Sequence, residues 1–471
     1  MAEYISSGVL LFNYFVLFYF LSLNGMYILL TLLSFVALRK HMKEKLFSAQ
    51  YKRLFHSSFY KPISVIVPAY NEELTVCDNV KSLLQLRYPE FEIVVVNDGS
   101  SDNTLGVLIE TYCLKRSFRP VINQLPSGEV RGVYRSPDFP HLIVVDKENG
   151  GKADALNAGI NVAQFPLVSA IDSDSILEAD VLTKLVRPFL NDPKTVAVGG
   201  IVRVVNGCTV KAGEVIDIDL SPKALPNYQI VEYLRSFLFG RVGWDMLDGL
   251  IIISGAFGVF LKSAVIQCGG YLQETVGEDM ELIVRMHRVM RENKKPYRIT
   301  FVPEPVCWTE VPEDLKTLGR QRNRWQRGLM ESLVAHRVML FNPRYGIIGL
   351  LAMPFFFVFE MLGPIIEFTG YIVFFSSLML GIVNYKFAIL FLSAAIMLGM
   401  VLSVGSLVLE ELTFRKYPKY SHIFILFWYS ILENFWYRQI NTWWRFMGIV
   451  DYFRGKKSWG KMERKGVKQQ T

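Results

Sequence analysis

Two strongly apolar ends enclose a stretch, from about Lys61 to Arg337, in which short β-rich runs alternate with helical periodicity. Four acidic or polar signatures stand in that stretch in a fixed order: Asn97-Asp98-Gly99-Ser100, Asp172-Ser173-Asp174, Gly277-Glu278-Asp279 and Gln321-Arg322-Asn323-Arg324-Trp325. Ile63 to Pro68, Glu92 to Val96, His141 to Val145 and Leu167 to Ile171 read as buried strands, and Glu72 to Leu86 as an amphipathic helix. This alternation implies βαβ units, hence an α/β fold with a mostly parallel, Rossmann-like sheet. Ligands of such sheets gather at the carboxyl ends of the strands, where the acidic signatures fall. Arg116 to Pro140 lacks periodicity and reads as a long inserted loop.

The apolar ends imply a membrane. Of 471 residues 51% are hydrophobic, and the mean hydropathy is positive, which is high for a soluble protein. Val9 to Leu38 is nearly uncharged and then meets Arg39-Lys40-His41-Met42-Lys43-Glu44-Lys45. It is too long for a signal peptide and reads as an uncleaved spanning helix, with the basic side, and all that follows, in the cytoplasm. Tyr345 to Val383 and Phe387 to Leu412 form a spanning hairpin, the first arm interrupted by Pro354, Glu360, Pro364 and Glu367. Ile423 to about Tyr437 is flanked by arginines and lysines on both sides, and Trp436, Trp443 and Trp444 stand nearby, so an interfacial helix is expected. The net charge of +8 comes with no long basic run interleaved with aromatics, which excludes nucleic acid and favours anionic lipid or phosphate. Five dispersed cysteines without a C-x-x-C pair are expected to be reduced thiols.

The chemistry follows from position. After the first strand, Tyr70 offers a ring to stack on a base, and Glu72 and Asp98 offer acceptors for base N–H or ribose hydroxyl, or else Asn71 and Glu72 merely begin a helix. Asp172 and Asp174 are spaced to hold a hard divalent ion on a diphosphate. Gly150-Gly151-Lys152 opens a helix that also carries Asp154, and its N–H groups and the lysine are placed for phosphate or base oxygens; the Walker spacing is absent. Asp279 caps the following helix or serves as general base. Gln321, Arg324 and Trp325 share one helical face, an indole for a sugar ring and a guanidinium for diphosphate, or an interface anchor.

Taken together, the D, D-x-D, E-D, Q-x-x-R-W series from about Ser64 to Arg327 resembles the processive members of glycosyltransferase family 2, which include cellulose, hyaluronan, chitin and poly-N-acetylglucosamine synthases. The resemblance implies a GT-A fold, a UDP-linked sugar donor, Mg²⁺ or Mn²⁺, inversion at the anomeric carbon and a β-linked product. It implies that Tyr70, Glu72, Asp98, Lys152, Asp154 and Asp172 hold the nucleotide and that Asp172 and Asp174 hold donor phosphate and metal. The Glu278-Asp279 pair would be catalytic, with Asp279 the base, and Gln321, Arg324 and Trp325 would line the acceptor end. Residue 277 is Gly where many members have Thr, and neither a PilZ signature nor the Phe-x-Val-Thr-Pro gating loop of bacterial cellulose synthase is present. The smaller synthases of the poly-N-acetylglucosamine and hyaluronan type resemble it most.

The expected organisation is a spanning helix and basic flank at 1–45, a linker at 46–60, the transferase domain at 61–318, an interface helix at 319–344, the hairpin at 345–413, interfacial or spanning helices at 414–453 and a basic cytosolic tail at 454–471. Expected partners are a nucleotide sugar, an oligosaccharide or lipid acceptor, membrane lipids and an accessory subunit. The expected location is multi-pass in the plasma membrane. A non-processive transferase acting on a lipid-linked acceptor shares the donor site, and a non-catalytic scaffold is the third reading.

Overall fold

The computed structural model describes residues 2–47, 60–173, 175–211, 213–381 and 385–456. The expected linker falls largely outside these residues, as does the tail beyond 456.

The strands are β1 (Ile63–Ala69), β2 (Phe91–Asp98), β3 (Lys115–Ser117), β4 (Val130–Arg135), β5 (Leu142–Lys147), β6 (Leu167–Ile171), β7 (Ile176–Leu177), β8 (Thr195–Val204), β9 (Thr209–Lys211), β10 (Glu214–Asp217), β11 (Phe257–Leu261) and β12 (Arg298–Thr309). β9 and β10 form a separate ribbon; the other ten make one sheet in the order β3-β4-β5-β2-β1-β6-β11-β8-β12-β7. β5, β2, β1 and β6 are parallel to one another and β8 to β12, while β4, β7 and β11 run against the rest. β2 and β8 are buried along their whole length, as continuous β-branched runs are when helices cover both faces of a sheet.

The segment expected to be a loop, Arg116 to Pro140, contains β4 and most of β3, paired antiparallel at the sheet edge. Their side chains are mostly polar and half exposed, so no apolar run marks them; pairing with β5 fixes them instead. The helix expected from Glu72 begins at Val76, since Glu72 to Thr75 form a turn bonded to the loop after β2.

Among the described residues, two helices are long and apolar enough to cross a membrane, Gly8–Lys43 and Ala388–Thr413, and a third crossing results if Ile348–Met361 and Gly363–Met379, bent by 40°, count as one span. The bend lies between Glu360 and Pro364, among the interrupting residues named above. Tyr420–Leu432, at 13 residues, is too short to cross. Its neighbour Trp436 donates to the Tyr228 hydroxyl at 3.0 Å, and the Trp444 indole closes on Gly319. Both therefore pack on the protein, and Trp443, 46% exposed, is the indole of the three left to face outward.

A buried ion pair ties the sheet to the apolar helix Ala388–Thr413. Arg203 of β8 donates to Glu410 at 2.6 Å, with both side chains 2% exposed. Removing one partner strands the other charge, so Glu410→Ala is expected to cost about 3 kcal/mol of stability. Thermal denaturation in detergent checks this; an unchanged midpoint would show that the pair does not hold the helix to the sheet.

Candidate active site

Register sets the site. Ile63 of β1 aligns with Leu167 of β6 and Ala69 with Asn97 of β2, so the carboxyl ends of these strands lie along one edge. Asp98 closes β2, Tyr70 and Glu72 follow β1, and Asp172 follows β6. β11 runs antiparallel with Phe257 opposite Ile171, so the approach Ser254-Gly255-Ala256 reaches the same edge.

On one side of this edge, side chains from three strand ends interlock. Asp98 is 3% exposed and accepts from Lys147 at 2.6 Å, from Gly150 N at 3.0 Å and from Gly151 N at 2.8 Å. Gly151 has φ +85°, which an L side chain rarely adopts, so glycine lets the turn bring both N–H groups onto one carboxylate. These N–H groups, expected to meet phosphate or base oxygens, are thus engaged by Asp98. Lys147, with no exposed side-chain surface, also holds Asp154 at 2.5 Å, and Asp154 accepts from Gly128 N. Glu72 accepts from the Ser173 hydroxyl at 2.8 Å, joining the β1 end to the Asp172-Ser173 turn. Tyr70 stands 52% exposed beside them. Asp174 lies outside the described residues.

On the other side, carboxylates converge on a second lysine. Lys152 meets Asp172 at 2.6 Å and Glu278 at 3.3 Å. Burial works against its charge, but Asp172, Glu278 and Asp279 outweigh it and hold the ammonium well above the usual lysine range. Glu278, 4% exposed, is raised, because burial and the neighbouring Asp279 charge exceed the pull of Lys152. Asp279 is oriented by two backbone donors, Gly255 N at 2.8 Å and Met280 N at 2.9 Å. It sits in the first turn of the helix Glu278–Glu292, so it serves that helix start and faces the site together.

The helix Leu315–Ala335 carries Gln321, Arg324 and Trp325. It is locked to the Glu278 helix: Glu331 accepts from Thr275 Oγ1 and Val276 N, each at 2.8 Å, and His336 meets Glu281 at 3.0 Å. Gly277 and Gly328 touch between these bonds; a Cβ on Gly277 would lie 2.8 Å from Gly328 Cα. That contact explains glycine where a threonine is common in the resembling series. Trp325, 43% exposed, is cushioned by Arg322, whose guanidinium lies 4.1 Å from the ring centroid and whose Nη2 donates to Glu232 at 2.7 Å.

Lys152, Asp172, Glu278, Asp279, Gln321, Arg324 and Trp325 line one cavity of about 1480 Å³, which continues between the apolar helices past Phe12, Phe374 and Phe391. Tyr70, Glu72, Asp98 and Asp154 are not part of that lining. Sequence reasoning missed Lys147, Arg322, Glu232 and Arg241, which also faces the cavity. Lys147 carried a readable signal, a lone cation ending an apolar strand; Glu232 and Arg241 sit in a helical stretch without a motif.

An α/β sheet with carboxylates at its strand ends, a tryptophan beside them and apolar helices behind defines a sugar-transferring enzyme of GT-A type. Residues 61–328 match the profile described as "Glycosyltransferase like family 2", and the chain belongs to that family of glycosyltransferases. Poly-beta-1,6-N-acetyl-D-glucosamine synthase of Staphylococcus aureus (strain COL) is 30% identical over 273 residues, covering 58% of this chain and 55% of the relative. The enzyme of that name from Staphylococcus epidermidis is 31% identical over the same shares. The chain thus spans about half the length of these relatives. Among solved structures, the mannosyltransferase PcManGT from Pyrobaculum calidifontis, in complex with GDP-Man and Mn²⁺, superposes with a TM-score of 0.50 at 19% identity, covering 88% of this chain and 99% of that one, a likeness of fold.

The glycine contact yields a prediction. In Gly328→Ala the new methyl lies 2.8 Å from Gly277 Cα, so the two motif helices must separate, although alanine is the better helix former. Turnover is expected to fall about tenfold to a hundredfold through misplacement of Trp325 relative to Asp279, with nucleotide affinity within about twofold of wild type. Steady-state rates and calorimetry with a nucleoside diphosphate measure both, and wild-type turnover would contradict the account.

Proposed function

We propose that the chain is a membrane-bound, inverting, processive transferase that moves sugar from a UDP-linked donor onto a growing β-linked polysaccharide. The observation that carries this reading is the single cavity in which Lys152, Asp172, Asp279 and Trp325 continue into the walls of apolar helices at Phe374 and Phe391. A product growing at Asp279 has a path directly toward the membrane segments, and we include export along it in the proposal. The likeness to poly-N-acetylglucosamine synthases supports an N-acetylhexosamine donor. The basic run after Leu38 supports a cytoplasmic transferase domain in a multi-pass protein of the plasma membrane.

In this mechanism Tyr70, Glu72, Asp98 and Asp154 form the nucleotide shelf, with Asp98 and Asp154 pinned by Lys147. Asp279, held by Gly255 N and Met280 N, takes the proton of the acceptor hydroxyl. The acceptor oxygen forms its bond to the anomeric carbon as the bond to the donor phosphate breaks, and the nucleoside diphosphate departs with the electron pair. Lys152, held between Asp172 and Glu278, offsets part of the negative charge gathered beside Asp279. Gln321 and Trp325 support the acceptor ring, and Arg324 meets the diphosphate. Asp172, a hard oxygen donor on the cavity wall with 27% of its side chain exposed, would hold Mg²⁺ or Mn²⁺ together with Asp174 on giving up its contact with Lys152. Such an ion, when bound, neutralises charge on the departing diphosphate.

Two measurements test the reading. Enzyme in nanodiscs with Mg²⁺ or Mn²⁺ and a panel of labelled nucleotide sugars is expected to release UDP and build high-molecular-weight product from one donor. Product that stops at one added sugar on a lipid would instead establish the non-processive transferase, for which the phenylalanine-rich continuation of the cavity already offers a hydrocarbon path. Asp279→Asn is expected to lower transfer by at least about 10²-fold while UDP binding persists; transfer at the wild-type rate would remove Asp279 from the role of base.

A further inference from the structure

The bend between Ile348–Met361 and Gly363–Met379 has a chemical consequence for the sugar site. In an unbroken helix the N–H of residue 364 would bond to the Glu360 carbonyl, but residue 364 is proline and has none. The N–H of Ile365, which would reach Met361, bonds to the Leu362 carbonyl at 3.0 Å instead. Two carbonyls are thus released in an apolar segment, where an unpaired backbone group is costly. Both are taken by side chains from outside the pair. Gln326 Nε2 donates to the Met361 carbonyl at 3.1 Å, and Arg445 Nη2 donates to the Glu360 carbonyl and, at 3.0 Å, to Glu360 Oε2. Arg445 Nε also donates to Gln326 Oε1 at 3.0 Å, so one guanidinium both orients the amide and caps the break.

Gln326 follows Trp325 on the helix Leu315–Ala335 and is 2% exposed. At about 100° per residue, Gln326 and Gly328 point about 200° apart, to nearly opposite sides of that helix. Gly328 rests on Gly277 beside the Glu278-Asp279 pair, which stops the helix from moving closer, and Gln326 grips the bent pair from the far side. Trp325 lies between the two supports, so the direction of its indole follows the roll of the helix about its axis. Asn323 donates to Asp451 at 3.0 Å and so attaches this helix to the last one, Tyr437–Phe453. Arg445 of that last helix adds the bent pair, and three helices meet at its guanidinium.

We propose that Arg445 is a positioning residue for sugar transfer: through Gln326 and the carbonyls released at Glu360 and Met361 it fixes the roll of the Trp325 helix, and with it the direction in which the indole meets the acceptor relative to Asp279. This rests on the reading of Trp325 as the support of the acceptor ring. The proline break is then a socket for the sugar wall. A straight helix in its place would close both carbonyls on itself and withdraw the backbone acceptors that Gln326 and Arg445 use.

The test compares Arg445→Ala, Arg445→Lys, Gln326→Ala and the double alanine variant as full chains in nanodiscs. Glu410→Ala, which breaks a buried pair outside the cavity lining, is the control for lost stability. By hydrogen exchange, which needs no turnover, Arg445→Ala is expected to speed amide exchange in Leu315–Ala335 at least about threefold, and Glu410→Ala to leave it unchanged. With the donor found by the product-size assay, Arg445→Ala is expected to lower kcat at least about tenfold, while the KM for the donor and the affinity for UDP with Mn²⁺ stay within about twofold of wild type. Arg445→Lys, which reaches a carbonyl without the guanidinium fork, is expected to recover part of the rate. Because Gln326 and Arg445 act as one unit, the double variant is expected to fall within about twofold of the slower single variant. A parallel loss of UDP affinity in Arg445→Ala would make Arg445 a diphosphate contact and overturn the positioning role. Rates that multiply in the double variant, an equal loss of rate in Glu410→Ala, or a wild-type rate or unchanged exchange in Arg445→Ala would overturn it as well. Wild-type turnover in Trp325→Ala would refute the reading of Trp325 and leave exchange to judge the grip itself, whereas a wild-type enzyme that adds a single sugar would refute processive synthesis alone, so these failures are distinct.

Discussion

Gly277 and Gly328 touch backbone to backbone, and the rest of the site depends on that contact. One glycine precedes the Glu278-Asp279 pair and the other lies one turn beyond Trp325. Their approach sets the distance between the group proposed to take a proton and the ring proposed to carry the sugar. A Cβ at either position would force the two helices apart, because the neighbouring atom is backbone and has no rotamer in which to withdraw. Glu331 then bonds Thr275 and Val276 across the same seam, so a short path of fixed geometry joins two motifs far apart in sequence.

Two lysines organise the carboxylates. Lys147 binds Asp98 and Asp154, Lys152 binds Asp172 and Glu278, and each stands between acidic groups that would otherwise repel one another. The first lysine is enclosed and its partners are satisfied by backbone donors, so that cluster is a preformed scaffold. The second keeps a fifth of its side chain exposed on the cavity wall, with Asp172 likewise exposed, so that cluster is open to exchange with a ligand.

The strands that carry these groups were legible because each is a continuous β-branched run ended by a polar signature, and Leu167 to Ile171 appears with the expected limits. The edge strands β3 and β4 were not legible, since a half-exposed polar strand has no apolar period and is defined by its partner. The site residues were named from order along the chain, which says nothing of what each side chain already holds. Hence Asp98 and Asp154 were readable as acidic, but not as two ends of one buried lysine. Arg322 was likewise quoted within its motif while its neighbour Arg324 was assigned the task; helical spacing i, i+3 put Arg322 against Trp325 as well as Gln321 against Arg324. Gly277 could be seen only as a departure until Gly328 was found opposite it.

The wall that bears Trp325 does not belong to the sheet domain alone. Gln326, the next residue, accepts from Arg445 at 3.0 Å and donates to the Met361 carbonyl at 3.1 Å. Arg445 in turn reaches Glu360 at 3.0 Å, and Glu360 accepts from Tyr27 of the first apolar helix at 2.7 Å. Glu360 thus joins the bent apolar pair, the last described helix and the first one, all behind a single tryptophan. A sheet domain cut at 318 would lose the helix Leu315–Ala335 beyond its first turn and the polar groups that hold it, leaving carboxylates with no opposite wall. The apolar helices are thus part of the construction of the proposed sugar site, and the cavity is continuous with the space between them.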